Sequence, residues 1–263
     1  MQWVLQRFED TEKLAVALER LGVAYSWHKV IPFVGELLPE PEIDDPGAVL
    51  LFGSYSLWRI AEKKNWSPGV FTIEPFLKET AWRGHLLNGD VRLVTVREAA
   101  ELVPDETLHF VRPVSDSKEM PGTVISAAEL VHTARNVLSI NEDDIPAGSL
   151  SHDTELLLAE PVRIFKEWRC WVVEGEVVTW SLYKEGTRVV YRPEIDDDAL
   201  AFAREMVASN PGYARAYVLD VCRTEEGLKI IETNCINAAG FYAADLLKLV
   251  AALDGITPRQ TAT

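Results

Sequence analysis

The chain has few cysteines, and none of them is paired or closely spaced. Its 263 residues include three, Cys170, Cys222 and Cys235, with no histidine near them in sequence. A disulfide framework or a structural zinc site needs cysteines in pairs or at short spacings with histidine, so the sequence argues against both. We therefore expect three reduced cysteines that fill space in the core.

A long uninterrupted apolar run is also missing, both in the first residues, MQWVLQRFEDTEKL, and further along. A membrane-spanning helix needs about 20 predominantly apolar residues, and a signal peptide needs a shorter apolar stretch after a positive start. The sequence therefore predicts a cytoplasmic protein that does not enter a membrane.

Positive charge is scarce. The 26 Lys and Arg residues are outnumbered by 41 Asp and Glu residues, which gives a formal net charge of -15. Such a chain repels the phosphate backbone of nucleic acids and the surface of anionic lipids, so neither is an expected partner. An anionic ligand would need a local cationic pocket, helped by a divalent metal ion.

Strand and helix patterns alternate along the first hundred residues. The segments QWVLQ, VAYSWHKVIP and GAVLLFG are typical of strands, whereas TEKLAVALERLG and SYSLWRIAEKKN have the periodicity of helices. This alternation predicts an α/β lobe with a mainly parallel sheet.

Strand patterns dominate from about residue 105, interrupted by two helices. Turn signals at Glu174-Gly175 and Glu226-Gly227 predict antiparallel hairpins. Near the end, the segment AAGFYAADLLKLVAALDG predicts one long apolar helix, which leaves room for a homodimer.

Three oxygen-bearing side chains stand at the ends of two apolar strands. Asp220 ends the first strand, and after a turn at residues 224–227 the second strand reaches Glu232 and Asn234. These two face the same side of their strand, and hairpin pairing would bring Asp220 close to them. Mg2+ prefers such oxygen ligands. The alternative is that Glu232 and Asn234 cap the next helix while Asp220 begins a turn.

Two acidic residues flank a chain crossing between strands. Glu160 ends the apolar run LLLAE, and Glu167 opens the next strand. A carboxylate at such a strand end suits adenine, whose exocyclic amino group would donate to Glu160, and Glu167 would accept from ribose hydroxyls. The alternative is that both are exposed acids in a polar connection.

The order of these segments resembles the nucleotide-binding core of the ATP-grasp superfamily. The resemblance covers roughly residues 105 to 253, and it rests on HFVRPVSDSKEMPG, LLLAEPVRIFKEWR and AYVLDV with LKIIETN. The segments FGSYSLWR, PGVF and ETNCINAAGFY are similar to a clade of this superfamily found in viral and bacterial genomes.

The resemblance implies an α+β protein with an N-terminal α/β pre-ATP-grasp domain at residues 1–104. The ATP-grasp core, with two α+β subdomains that hold ATP between them, would occupy residues 105–263. The implied enzyme uses ATP and Mg2+ to activate a carboxylate as an acyl phosphate and joins it to an amine. Its substrates would be a small molecule or peptide that carries the carboxylate, for example an amino acid, and an amine acceptor.

Site residues also follow from the resemblance. Magnesium would be held by Asp220, Glu232 and Asn234. The residues implied to bind the nucleotide are Arg112, Ser115, Ser117, Lys118, Glu160, Val162, Glu167 and Lys184. The cations implied to act in catalysis are Arg112, Lys118, Arg169 and Lys184.

The phosphate loop and the adenine contact depart from the superfamily pattern. The loop reads SDSKEMPG, with one glycine where relatives are rich in Gly and Ser, so Ser115, Ser117 and Lys118 would replace glycine amides at the phosphates. Residue 161 is Pro rather than the frequent Lys. Because Pro has no N–H, the backbone contact to adenine would fall to Val162 or to a carbonyl.

A third departure is Val218, which stands where many relatives have an arginine. The sequence leaves open which residue replaces that charge, the alternatives being Arg169, Arg188, Arg192 and Arg215.

Function is less constrained on the acceptor side. Candidates for the acceptor pocket are Ser54, Tyr55, Arg59, Asn237 and Tyr242. A kinase that stops at phosphoryl transfer and a nucleotide-binding module without catalysis are alternatives, but the three metal-ligand positions favour an enzyme. Cys235 could be a nucleophile, although a small residue at a buried strand exit is the favoured interpretation.

Overall fold

The computed structural model describes residues 1–31, 34–87, 89, 91–114, 119–146 and 148–257. By the contacts among its residues the chain divides into two compact units. The first joins Met1–Phe76 to Ile164–Thr263, and the second is Leu77–Arg163. This division differs from the domain boundary expected between residues 104 and 105, which stays a prediction.

The first unit begins with a five-stranded, mainly parallel sheet. Its elements are β1 (Gln2–Gln6), α1 (Glu9–Leu21), β2 (Tyr25–Ile31), β3 (Glu36–Leu38), β4 (Val49–Phe52), α2 (Tyr55–Lys63) and β5 (Pro68–Gly69). The strand order is β3-β2-β1-β4-β5, in which only β3 runs antiparallel to its neighbour. The α/β lobe with a mainly parallel sheet is therefore confirmed.

The two helices of this sheet pack on opposite faces, because successive residues of β1 point to opposite sides. Leu14 of α1 packs in one cluster with Leu5, whereas Leu57 of α2 packs in another with Val4. The chain therefore leaves β1 and β4 towards opposite faces. In open α/β sheets such a divergence creates a crevice at the carboxyl ends of the strands where ligands bind.

The second unit is a four-stranded antiparallel sheet with two helices. Its elements are β6 (Arg92–Thr95), α3 (Val96–Ala99), β7 (Leu108–Pro113), β8 (Thr123–Ser126), α4 (Ala127–Leu138) and β9 (Glu155–Ala159). The strand order is β6-β9-β7-β8. Both helices begin with a capping box, formed by Thr95 with Glu98 and by Ser126 with Glu129, which satisfies backbone N–H groups of the first turn.

The first unit also contains a second five-stranded sheet, which is antiparallel throughout. The remaining elements are β10 (Lys166–Val173), β11 (Glu176–Glu185), β12 (Arg188–Arg192), α5 (Asp197–Ser209), β13 (Ala216–Thr224), β14 (Gly227–Asn234) and α6 (Leu246–Asp254). The strand order is β12-β11-β10-β13-β14. Hairpins turn at Glu174-Gly175 and before Gly227, where φ values between 49° and 109° suit such turns. Both predicted hairpins are confirmed.

One face of this antiparallel sheet changes character along its strands. Trp171 of β10 and Val218 of β13 belong to a buried cluster that includes Leu249 of α6. Two residues further along the same face of each strand lie Arg169 and Asp220, which are polar and also buried. The core of the first unit therefore ends directly at a polar cluster.

The final helix is shorter than the sequence predicts. Although AAGFYAADLLKLVAALDG is apolar at helical spacing, α6 begins at Leu246, with Asp245 as its N-cap. The earlier residues do not continue the helix because Tyr242 has a φ of 49°, in the left-handed region. Among the described residues, no helix has both the length and the apolar character needed to cross a membrane.

Candidate active site

A row of polar side chains crosses three neighbouring strands of the antiparallel sheet. Arg169 of β10 lies opposite Asp220 of β13, and Asp220 lies opposite Glu232 of β14. Directly opposite residues of antiparallel strands share a face, so these side chains point to the same side. Asn234, two residues after Glu232, faces that side too. The structure thus brings the three candidate metal ligands together and adds Arg169 to them.

The strand pairing is irregular beside this row. The register shifts between Asp220 and Val221 where β13 pairs with β14, and between Glu167 and Trp168 where β10 pairs with β11. A β-bulge redirects the side chains around it and is frequent next to active sites. These two irregularities were not foreseen from the sequence, which has no glycine at either position.

Asp220 is the most deeply buried member of the row, with 1% of its surface exposed. Arg169 Nε donates to Asp220 Oδ1 at 2.9 Å, and Arg169 Nη2 donates to Oδ2 at 2.7 Å. Two parallel charge-assisted hydrogen bonds of this kind fix the orientation of a carboxylate as well as its charge.

The contacts of the four candidate arginines differ. Arg192 pairs with Glu185 at 2.9 Å, and Arg215 pairs with Glu174 at 2.6 Å. Arg188 is exposed on the edge strand β12. Of the four, Arg169 is the one whose guanidinium contacts Asp220.

The side-chain amide of Asn234 lies between the two carboxylates. Its Nδ2 donates to Asp220 Oδ2 at 3.3 Å and to Glu232 Oε1 at 3.1 Å. The amide thus presents its positive end to the point where the carboxylates converge. The described residues contain no group of three or more His, Cys, Asp or Glu side chains placed to hold a metal ion. Two carboxylates with a carboxamide are nevertheless oxygen donors that suit Mg2+, so these residues fit that ion.

The charges around Asp220 do not balance. Burial raises the pKa of Asp220, the Arg169 guanidinium opposes this rise, and the Glu232 and Glu167 carboxylates add to it. Burial alone would lower the pKa of Arg169, but the Asp220 carboxylate outweighs burial and raises that pKa, so Arg169 stays charged. Three acidic groups therefore share the charges of Arg169 and Lys184, and additional positive charge is favoured there.

Glu167 and Lys184 form an ion pair. Lys184 Nζ lies 2.6 Å from Glu167 Oε1, and the side chain of Glu167 is 9% exposed against 40% for that of Lys184. The two residues are also directly opposite each other on β10 and β11. The lysine expected at the phosphates and the carboxylate expected at the ribose are thus neighbours on the same face as Arg169.

Aromatic rings surround the Arg169 guanidinium, and two of them, Tyr183 and Tyr191, were missed from the sequence. The ring of Tyr242 stacks on Tyr191 with centroids 4.9 Å apart and on Tyr183 at 5.3 Å. Arg169 Cζ lies 4.7 Å from the centroid of Tyr242 and 5.7 Å from that of Tyr183. Burial raises the pKa of Tyr183 well above its ordinary value, so this phenol stays neutral. No local sequence signal marks these rings, because they meet across strands.

Other candidate nucleotide-binding residues belong to the second unit. Arg112 lies on β7 opposite Leu157 of β9, and its Nε donates to the carbonyl of Pro113 at 3.3 Å. Glu160 follows β9 directly and is exposed, as is Val162. Glu160 is three residues beyond Leu157, so it lies roughly 10 Å along the strand from the position opposite Arg112.

The remaining predicted phosphate contacts, Ser115, Ser117 and Lys118, lie outside the described residues.

Among the acceptor candidates, Asn237 has a structural role. It is 1% exposed, and its Nδ2 donates to the carbonyls of Leu51 at 2.6 Å and Gly69 at 3.2 Å. Its Oδ1 accepts from the N–H of Phe71 at 2.9 Å. Asn237 thereby ties the segment after β14 to β4 and β5. Ser54 donates to Gln6 Oε1 from both its N–H, at 2.9 Å, and its hydroxyl, at 2.8 Å.

The cysteines are buried, as expected from the sequence. Cys170 and Cys222 are fully buried and Cys235 is 8% exposed. Burial raises the pKa of Cys222 to about 12, which suppresses its thiolate. Cys235 Sγ lies 3.3 Å from the carbonyl oxygen of Phe71, a contact that fits a small residue at a buried strand exit.

Replacing Asn237 with alanine is expected to lower the free energy of unfolding by about 2–4 kcal/mol, because it leaves buried backbone groups without partners. Urea denaturation of the variant and the wild type measures the difference. Asn136→Ala, at an exposed position of α4, is the matched control and should change stability little. Equal stability of the two variants would show that the Asn237 contacts are unimportant.

Solved structures with the same fold are ligases and synthetases. D-cycloserine synthetase DcsG is 13% identical with a TM-score of 0.64, over 97% of this chain and 99% of that one. N5-carboxyaminoimidazole synthetase from Staphylococcus aureus is 10% identical with a TM-score of 0.60, over 98% and 77%. D-alanine–D-alanine ligase from Bacillus anthracis is 13% identical with a TM-score of 0.56, over 96% and 92%. At these identities the likeness establishes the fold.

That fold is the α+β fold of the ATP-grasp proteins, as the sequence predicted. The chain belongs to an ATP-grasp domain family, the third family of its clade, whose model matches residues 40–253. A search of curated proteins finds no match.

Proposed function

We propose that this protein is an ATP- and Mg2+-dependent ligase that activates a carboxylate as an acyl phosphate and joins it to an amine. The observation that carries the proposal is the row formed by Arg169, Asp220, Glu232 and Asn234 across three adjacent strands. Membership of the ATP-grasp superfamily and the names of the structural neighbours support the same reaction class. The carboxylate would belong to a small molecule or a peptide.

In this proposal the residues of the first unit serve the phosphate end of ATP. Asp220, Glu232 and Asn234 would hold Mg2+, which when bound neutralises charge on the phosphate oxygens. Lys184, half-exposed beside Glu167, would exchange part of that ion pair for contact with a phosphate, and Glu167 would accept from the ribose.

Residues of the second unit would complete the nucleotide site. Arg112 would contact phosphate, together with Ser115, Ser117 and Lys118. Glu160 and Val162 would meet the adenine edge, Glu160 as an acceptor and Val162 through its backbone N–H.

The reaction needs positioning and charge neutralisation more than a protein nucleophile. An oxygen of the substrate carboxylate attacks the γ-phosphorus of ATP, and the bond to the β–γ bridging oxygen breaks to release ADP. The amine nitrogen then attacks the carbonyl carbon of the acyl phosphate, the C–O bond to phosphate breaks, and the amine loses a proton. The products are an amide, ADP and inorganic phosphate.

The test is mass spectrometry of the products formed by the protein with MgATP and pooled carboxylates and amines. A ligase gives ADP, phosphate and a product with the summed mass of one acid and one amine less one water. ADP formed with an acid or alcohol alone, with no need for an amine, would show a kinase instead. Tight ATP binding in calorimetry without turnover of any acceptor would show a binding module, and the ligase proposal would then be wrong.

A further inference from the structure

The backbone of Tyr242 is in a conformation that bulky residues rarely adopt. Its φ is 49°, and such outliers concentrate at functional sites where the surroundings hold them in place. Three contacts hold this one. Phe241 is buried in the core, the N–H of Ala243 donates to Ser181 Oγ at 3.3 Å, and the N–H of Asp245 donates to Thr179 Oγ1 at 2.8 Å.

This conformation places the ring of Tyr242 against the guanidinium of Arg169, with 4.7 Å from Cζ to the ring centroid. On the ring stack, Tyr191 is almost parallel to Tyr242, at 8° between planes. Gly240 fits closely beneath, since a Cβ there would lie 3.3 Å from Cε1 of Tyr242. The carbonyl of Gly240 also accepts from Arg169 Nη1 at 3.5 Å. The turn thus surrounds the guanidinium on the sides that Asp220 leaves open.

We propose that Tyr242 is a positioning residue, whose ring holds the Arg169 guanidinium in its two-hydrogen-bond contact with Asp220. A buried guanidinium gains from the face of an aromatic ring, and the stack with Tyr183 and Tyr191 keeps that ring in place. The left-handed turn is needed to bring the ring there, which explains why the chain does not continue α6 back through residue 242.

The ring rather than the hydroxyl carries this role. The structure records hydrogen bonds from Arg169 to Asp220 and to Gly240, but none from the hydroxyl of Tyr242 to any of the described residues. Tyr242→Phe should therefore preserve the arrangement, whereas Tyr242→Leu should lose it. Leucine keeps a Cβ, so the backbone of both variants carries the same strain.

The first measurement needs no substrate. The Arg169 Nε proton gives an NMR signal, identified by its loss in Arg169→Lys, and its exchange with water reports on the contact with Asp220. We expect exchange about tenfold faster in Tyr242→Leu, the size of one buried cation–π contact, and unchanged exchange in Tyr242→Phe. Tyr191→Leu, at an exposed position, should give a smaller acceleration if the leucine variant at 242 does not fold. Tyr25→Leu, in the parallel sheet, is the matched control and should change nothing.

The second measurement rests on the proposed function. We expect Tyr242→Leu to lower kcat about tenfold while the KM for ATP changes less than about threefold, since positioning at the reacting end affects turnover more than nucleotide binding. If Arg169 exchange is unchanged in both Tyr242→Leu and Tyr191→Leu, the proposal is wrong, whatever the activity. Loss of protection in Tyr242→Phe would also overturn it, because the hydroxyl would then carry the role. Faster exchange in a protein that proves not to be a ligase would support the positioning role and reject the proposed function.

Discussion

Replacing Glu232 with glutamine is expected to lower kcat for ATP-dependent turnover roughly a hundredfold, which corresponds to about 3 kcal/mol of lost charge stabilisation. Glutamine keeps the size of the side chain and an oxygen donor but removes the negative charge. Glu232 is half-buried at the end of β14, and Asn234 Nδ2 can still donate to the amide oxygen. The fold should therefore persist, and the loss should be one of cation binding.

A titration of turnover against Mg2+ concentration measures this effect. In Glu232→Gln the half-saturating concentration should rise, and high Mg2+ should recover part of the activity. Glu176→Gln, which changes an exposed carboxylate at the far end of the same sheet, is the matched control. Wild-type Mg2+ dependence in Glu232→Gln would remove Glu232 from the set of metal ligands.

The features of the site that could be predicted from sequence are local ones. Asp220, Glu232 and Asn234 were found because one short hairpin brings two strand ends together, and a hairpin depends on residues near each other in the chain. The alternating strands and helices of the first hundred residues follow from hydrophobic periodicity in the same way.

The features that escaped prediction are non-local. Arg169 was one of four alternatives because its contact with Asp220 depends on the pairing of β10 with β13, 51 residues apart. Asn237 was expected at a substrate, yet it bonds to Leu51 and Gly69, and no local pattern reports such contacts. The residues at the start of the final apolar segment were expected in a helix, but packing around Tyr242 overrides their periodicity.

The second large effect concerns the pair of Arg169 and Asp220. Replacing Arg169 with leucine is expected to lower the free energy of unfolding by about 3–5 kcal/mol, because it leaves a buried carboxylate without its cation. Urea denaturation at neutral pH measures this loss. Arg188→Leu, which removes an exposed arginine of β12, is the control and should change stability by less than about 0.5 kcal/mol.

A pH series gives the sign of the effect. Burial raises the pKa of Asp220, and Arg169 opposes that rise, so the folded Arg169→Leu protein should have the higher Asp220 pKa. A carboxyl group whose pKa is raised on folding favours the native state most when it is protonated. The stability deficit of Arg169→Leu should therefore be smallest below the unfolded pKa near 3.8 and should grow as pH rises through the folded pKa.

The double variant Arg169→Leu with Asp220→Leu separates charge from packing. If an unpaired buried carboxylate causes the loss, removing that carboxylate should recover much of the stability lost in Arg169→Leu and abolish its pH dependence, since buried ion pairs replaced by apolar residues often cost little. A double variant as unstable as the sum of the two single variants would show that the side chains do not interact. The bidentate pair, with its 2.7 Å and 2.9 Å hydrogen bonds, would then contribute shape alone to this end of the sheet.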